Sequence, residues 1–85
     1  MQIVAIRDIK ADLFAQPAFT SSLGASIRDF GDRCNKPDEN NLLYLHPEDF
    51  ELYHLGTYND DNAKFTLLDQ PKQIATGGNY KGANK

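Results

Sequence analysis

His46, Glu48, Asp49 and His54 put two imidazoles and two carboxylates into the stretch HPEDFELYH. Such a set has the donor types to hold a divalent metal, or to pass a proton between a carboxyl and an imidazole. The spacing argues against both. No H-x-x-x-H falls on a helix, and no third strong ligand stands at a recognised interval. The simpler assignment is a turn fixed by Pro47, with Glu48 or Asp49 accepting hydrogen bonds from neighbouring backbone N–H groups before a strand begins.

The other chemistry-bearing residues lead to the same place. An EF-hand reading of NDDN needs glycine at loop position six and glutamate at position twelve. Counting from Asn59 gives Lys64 and Gln70, and counting from Asp60 gives Phe65 and Pro71. Cys34 is the single cysteine, which excludes an intramolecular disulfide and cysteine-based zinc sites. It closes the apolar stripe of a helix, where cysteine acts as a small hydrophobe. The segment GGNYKG has neither the spacing nor the strand-to-helix setting of a phosphate loop. The chain reads as a non-enzyme with no catalytic residue, no metal and no cofactor.

Nucleic acid is the remaining chemistry, and charge bears on it first. Nine Lys and Arg against twelve Asp and Glu leave a net charge of −3, where a protein that holds duplex by counterion release carries a basic stripe. The distribution is uneven. Residues 1–72 hold seven bases and twelve acids, while 73–85 hold Lys81 and Lys85 and no acid. Lys81 and Lys85 can meet phosphates while Tyr80 stacks on a base. Arg7, Arg28 and Arg33 are the other candidate contacts, and with Lys10 they make a local basic patch if the fold gathers them.

These residues need elements to position them. QIVAIRDI, residues 2–9, is a β-branched run with apolar side chains on both faces, which predicts a well-covered first strand. KADLFAQPAF follows as an irregular connection, with Phe14 and Phe19 around Pro17 pinning it to the core. After the N-cap hydroxyls of TSS, the apolar residues Leu23, Ile27, Phe30 and Cys34 form one helical stripe. Asp29 and Arg33 stand at i,i+4 on its polar side. Gly24 and Gly31 each weaken this helix by about 1 kcal/mol relative to alanine, so it must lean on a sheet. It ends near Asn35, before the breakers NKPDENN. LLYLHPEDF is a short apolar segment that turns at His46-Pro47. Residues 50–58 and 64–68 then read as two strands joined by NDDNA. Pro71 ends or edges the second strand, and KQIAT continues it for a few residues at most.

The predicted fold is α+β: a small antiparallel sheet of the first strand plus the C-terminal hairpin, with one amphipathic helix packed on one face. Residues 1–76 form the single domain, and 77–85 a flexible basic tail with too little apolar surface to order itself. A chain of 85 residues buries only about 60% of its unfolded surface, so a homodimer is a cheap way to cover an exposed sheet face. No apolar run approaches the roughly 18 residues of a membrane span. No signal-peptide pattern opens the chain, which places it in the cytoplasm where it is made.

Three segments carry a resemblance: IRDIKADLFAQPAF (residues 6–19), SIRDF (26–30) and above all HPEDFELYHLGTYND (46–60). An arginine-aspartate pair closes the first strand, then come Phe-x-x-Pro, Ile-Arg-x-Phe and His-Pro-Glu-Asp-Phe-x-Leu-Tyr-x-x-Gly. In this order the chain resembles the small nonstructural proteins of gokushoviruses, tailless single-stranded-DNA phages of the microvirus group. The likeness covers most of residues 3–70 and leaves out the tail after 72. It implies a phage-encoded accessory protein of genome replication or packaging in the cytoplasm of a bacterial host. By implication it acts when single-stranded genomes are made, binding single-stranded DNA or a replication complex. The alternative is a protein-interaction module that docks on the phage replication initiator, a host replication protein or the procapsid without touching DNA.

Overall fold

The structure is a computed structural model and describes residues 1–80. Strand β1 (Gln2–Asp8) is followed by two short strands, β2 (Leu13–Phe14) and β3 (Ala18–Thr20). Helix α1 spans Leu23–Cys34 and a four-residue helix α2 spans Leu42–Leu45. A 3-10 turn at Pro47–Asp49 leads into β4 (Phe50–Asn59), and β5 (Lys64–Thr76) completes a long hairpin. A second 3-10 turn, Gly77–Tyr80, closes the described chain.

All strand pairs are antiparallel, in the order β2-β1-β4-β5, with β3 also on β1. The fold is the α+β arrangement expected from the sequence. β1 is central because it is apolar on both faces: Ile3, Val4 and Ala5 are all buried. One edge of β1 carries β4, from Gln2 opposite Thr57 to Asp8 opposite Phe50. The other edge carries β3 beside residues 2–4 and β2 beside residues 7–8. The expected irregular connection is thus two strands broken at Pro17. Proline has no N–H for a ladder, but the pieces on either side of it retain theirs.

α1 begins where Ser22 accepts the Ala25 N–H at 3.1 Å, and ends at Cys34. Its buried residues Phe30 and Cys34 meet Val4, Leu43, Phe50 and Leu52 in the core, with Ile6, Leu23, Ile27, Ile74, Ala75 and Tyr80 around it. Side chains alternate along a strand, so Val4 and Ile6 face α1 while Ile3, Ala5 and Arg7 face away from it. The Asp29–Arg33 pair does not form; the ion pair found among the described residues is Arg7–Asp12, at 2.6 Å.

The 3-10 turn after His46 is held through the backbone. Asp49 N–H donates to His46 O at 3.0 Å, and Ile9 N–H donates to Asp49 O at 2.8 Å. The side-chain cap expected from Glu48 or Asp49 is not among these bonds, because successive carbonyls in the tight turn already face the donors.

β5 runs well past Pro71 to Thr76. It is the outer strand, where a missing N–H costs no ladder bond. Its register against β4 jumps between His54↔Lys72 and Gly56↔Leu67, looping out the segment that contains the proline. Residues 77–80, expected as part of the tail, form the closing 3-10 turn. Tyr80 packs edge-on against Phe30, ring centroids 6.2 Å apart. Gly77 sits against Pro47, where a Cβ would run into the carbonyl oxygen. The rest of the expected tail, with Lys81 and Lys85, lies outside the described residues.

Candidate nucleic-acid interface

The face of the sheet turned away from α1 carries a band of aromatic rings. Cross-strand geometry builds it. Phe19 lies opposite Ile3 on β1, and Ile3 lies opposite Gly56 on β4. Tyr58 lies opposite Phe65 across the hairpin. The result is a cluster with Tyr58–Phe65 centroids at 4.8 Å, Phe19–Tyr58 at 5.5 Å and Phe19–Phe65 at 6.4 Å. Phe19 is 49% exposed and Phe65 58%. Both rings therefore meet solvent on a large part of their surface, although offset and tilted pairs such as these already give each ring a favourable neighbour.

A second group lies toward the other end of β1. Phe14 and Tyr53 meet edge-on at 5.2 Å. The Arg7 guanidinium carbon sits 5.8 Å from the Phe14 ring centroid, within reach of a cation–π contact. Arg7 also donates to Asp12, and that bond raises its pKa further above the ordinary value, so it stays cationic throughout. Tyr53 donates its hydroxyl to Glu51 at 2.9 Å. Phe14 and Phe19 do pin the connection, but onto the outer face of the sheet, so each remains about half exposed.

The sequence-derived contact residues do not meet in one patch. Arg7 is on the aromatic face. Arg28 and Arg33 are exposed on α1, which packs on the opposite face. Five helical positions separate the two arginines, about 140° around the axis. Tyr80 is half-buried against Phe30. Lys81 and Lys85 lie outside the described residues.

The histidines are also apart. His46 is exposed at the end of α2, while His54 Nε2 lies 2.9 Å from Gln2 Oε1 and 3.0 Å from Gly56 O. Among the described residues no group of three or more His, Cys, Asp or Glu is placed to hold a metal ion. No helix of the described chain is long and apolar enough to cross a membrane.

On the α1 side, a cleft of about 400 Å³ opens between the helix and the connection from β2 to β3. Val4, Ile6, Phe30 and Leu52 supply its apolar lining, and Gln16, Ser26, Asp29 and Arg33 the polar groups.

The decisive comparison is with protein families: the Phage ORF5 protein family matches residues 1–80. The chain belongs to the Phage ORF5 protein family. The match takes in every element described above, including the 3-10 turn that carries Tyr80, and so extends past the expected limit near residue 70. No curated protein and no solved structure matches the chain. Membership makes this a phage protein. The fold adds an exposed aromatic sheet face, which single-sequence reasoning missed. The signal was present, because Tyr58 and Phe65 are equidistant from the hairpin loop and must share a face once the register is drawn.

Proposed function

We propose that this Phage ORF5 family protein is a non-enzymatic accessory of viral genome replication or packaging that binds single-stranded DNA through the aromatic face of its sheet. The observation that carries the reading is the exposed cluster of Phe19, Tyr58 and Phe65. Single strands present unstacked bases, and every base has a flat face that an exposed aromatic ring can cover. Such binding tolerates a net charge of −3 because it draws on stacking more than on phosphate neutralisation. Arg7, beside Phe14 on the same face, supplies a cation for the backbone. The motif resemblance to gokushoviruses supports a single-stranded genome and a bacterial cytoplasm as the setting.

The test is fluorescence anisotropy of a labelled single-stranded oligonucleotide with the parent protein, Phe19→Ala and Phe65→Ala. Losing one stacked base costs about 1–3 kcal/mol, or roughly 5- to 150-fold in affinity. Tyr58→Phe keeps the ring and should bind as the parent does. Absence of binding by the parent at low salt would sink the proposal.

A second reading, docking on a phage or host protein or on another copy, is favoured by Leu67 at 64% exposure and Leu13 at 66%. An apolar dock barely responds to salt. Under that reading the protein would retain a replication protein or procapsid on a column while ignoring the oligonucleotide.

A further inference from the structure

We propose that the cleft between α1 and the β2–β3 connection is a pocket for one base of the bound strand, selective for bases that carry an exocyclic amino group. The inference rests on the single-strand reading above. Three observations lead to it.

The first is shape and lining. About 400 Å³ accommodates a base with its sugar, and the apolar lining of Val4, Ile6, Phe30 and Leu52 suits a flat ring withdrawn from water. The second is the state of the polar groups. Asp29 and Arg33 line the same cleft one helical turn apart, yet they make no ion pair with each other. Among the described residues neither side chain has a hydrogen-bond partner. Each is free to meet a ligand group of opposite character. A carboxylate accepts from the exocyclic amino group of cytosine, and at the same ring position thymine presents the acceptor O4, which repels it. The guanidinium fits the phosphate that follows the base.

The third observation is continuity. Residues 14–19 form the rim shared by the two sites. Phe14 and Phe19 turn their rings to the aromatic face, while Ala15, Gln16 and Ala18 line the cleft. A strand stacked on that face reaches the cleft by passing over a single edge of the sheet. Arg33 also borders a neighbouring depression of about 310 Å³ with Asn40, Asn41 and Leu43, which continues the path toward α2. Arg33 therefore acts at this cleft, apart from Arg7.

The experiment compares oligo-dC and oligo-dT of equal length by anisotropy, with the parent protein and with Asp29→Asn and Arg33→Ala. Asp29 and Arg33 are both exposed, so the variants keep the fold, which their melting curves check. The parent should prefer oligo-dC by about fivefold or more, the low end of one specific polar contact to a base. Asp29→Asn should erase most of that preference while leaving oligo-dT binding unchanged. Arg33→Ala should weaken both oligonucleotides to a similar degree. Equal parental affinity for the two, unaltered by Asp29→Asn, would overturn the pocket while leaving the stacking face in place. That result would also be expected if the cleft serves a protein side chain. Failure of the parent to bind either oligonucleotide would overturn both proposals.

Discussion

Phe30 is 1% exposed and joins the helix to both layers around it: Val4 and Leu52 from the sheet, and the ring of Tyr80 from the closing turn. Phe30→Ala should therefore cost about 3–5 kcal/mol, read as a fall in melting temperature; an unchanged value would contradict the packing. Cys34, one turn further on, adds a pH dependence. Burial pushes its thiol pKa up, and Arg33 draws it only partly back. The folded protein thus holds this proton at pH values where the unfolded chain has released it. The stabilisation is complete below the unfolded thiol's pKa, about 8.5. It is lost as pH rises through the higher folded value. Urea midpoints measured upward from neutral pH should fall for the parent more steeply than for Cys34→Ala.

Two elements owe their form to close approaches. Gly31 weakens α1 as a helix, but a Cβ there would lie 2.9 Å from the Tyr80 ring, so the residue that lowers propensity also admits the turn that covers it. Gly77→Ala would drive a methyl into the Pro47 carbonyl and should cost about 1–3 kcal/mol by overpacking, seen as an earlier denaturant midpoint. The hairpin tip offers the opposite test. Ala63 has φ 60°, a left-handed conformation that costs an alanine about 1 kcal/mol. Ala63→Gly should raise the melting temperature or leave it unchanged. The elements were legible in uneven measure. α1 could be read to its last residue because a cap, an apolar stripe and a breaker cluster agree. β2, β3 and the far half of β5 could not, because their pairing is set by β1 and β4, distant in sequence, and prolines interrupt them. The site was less legible still. Arg7, Arg28 and Arg33 were visible as charges, but a face made of Phe14, Phe19, Tyr53, Tyr58 and Phe65 exists only after the register is known.

The described residues extend 45 × 24 × 20 Å, and their positive charge is spread rather than gathered. Arg7 stands on one face and Arg28 and Arg33 on the other, and Lys10, Lys36, Lys64 and Lys72 are further exposed cations. For single strands, phosphate contacts by the three arginines alone give a slope of log affinity against log salt of about −2. A titration between low and moderate salt checks it, and a much steeper slope would bring in the lysines as well. The central place of β1 has a further consequence for how the chain is made. Asp8 pairs with Phe50 and Gln2 with Thr57, so β1 is synthesised well before the partner strand on that edge. Until then β1 has the short β2 and β3 on one edge and α1 on one face but lacks its longest partner, and such distant pairing is slow to form. A nascent chain in that condition is a natural client for the host's chaperones, and its yield in a cell should depend on them more than the stability of the finished fold would suggest.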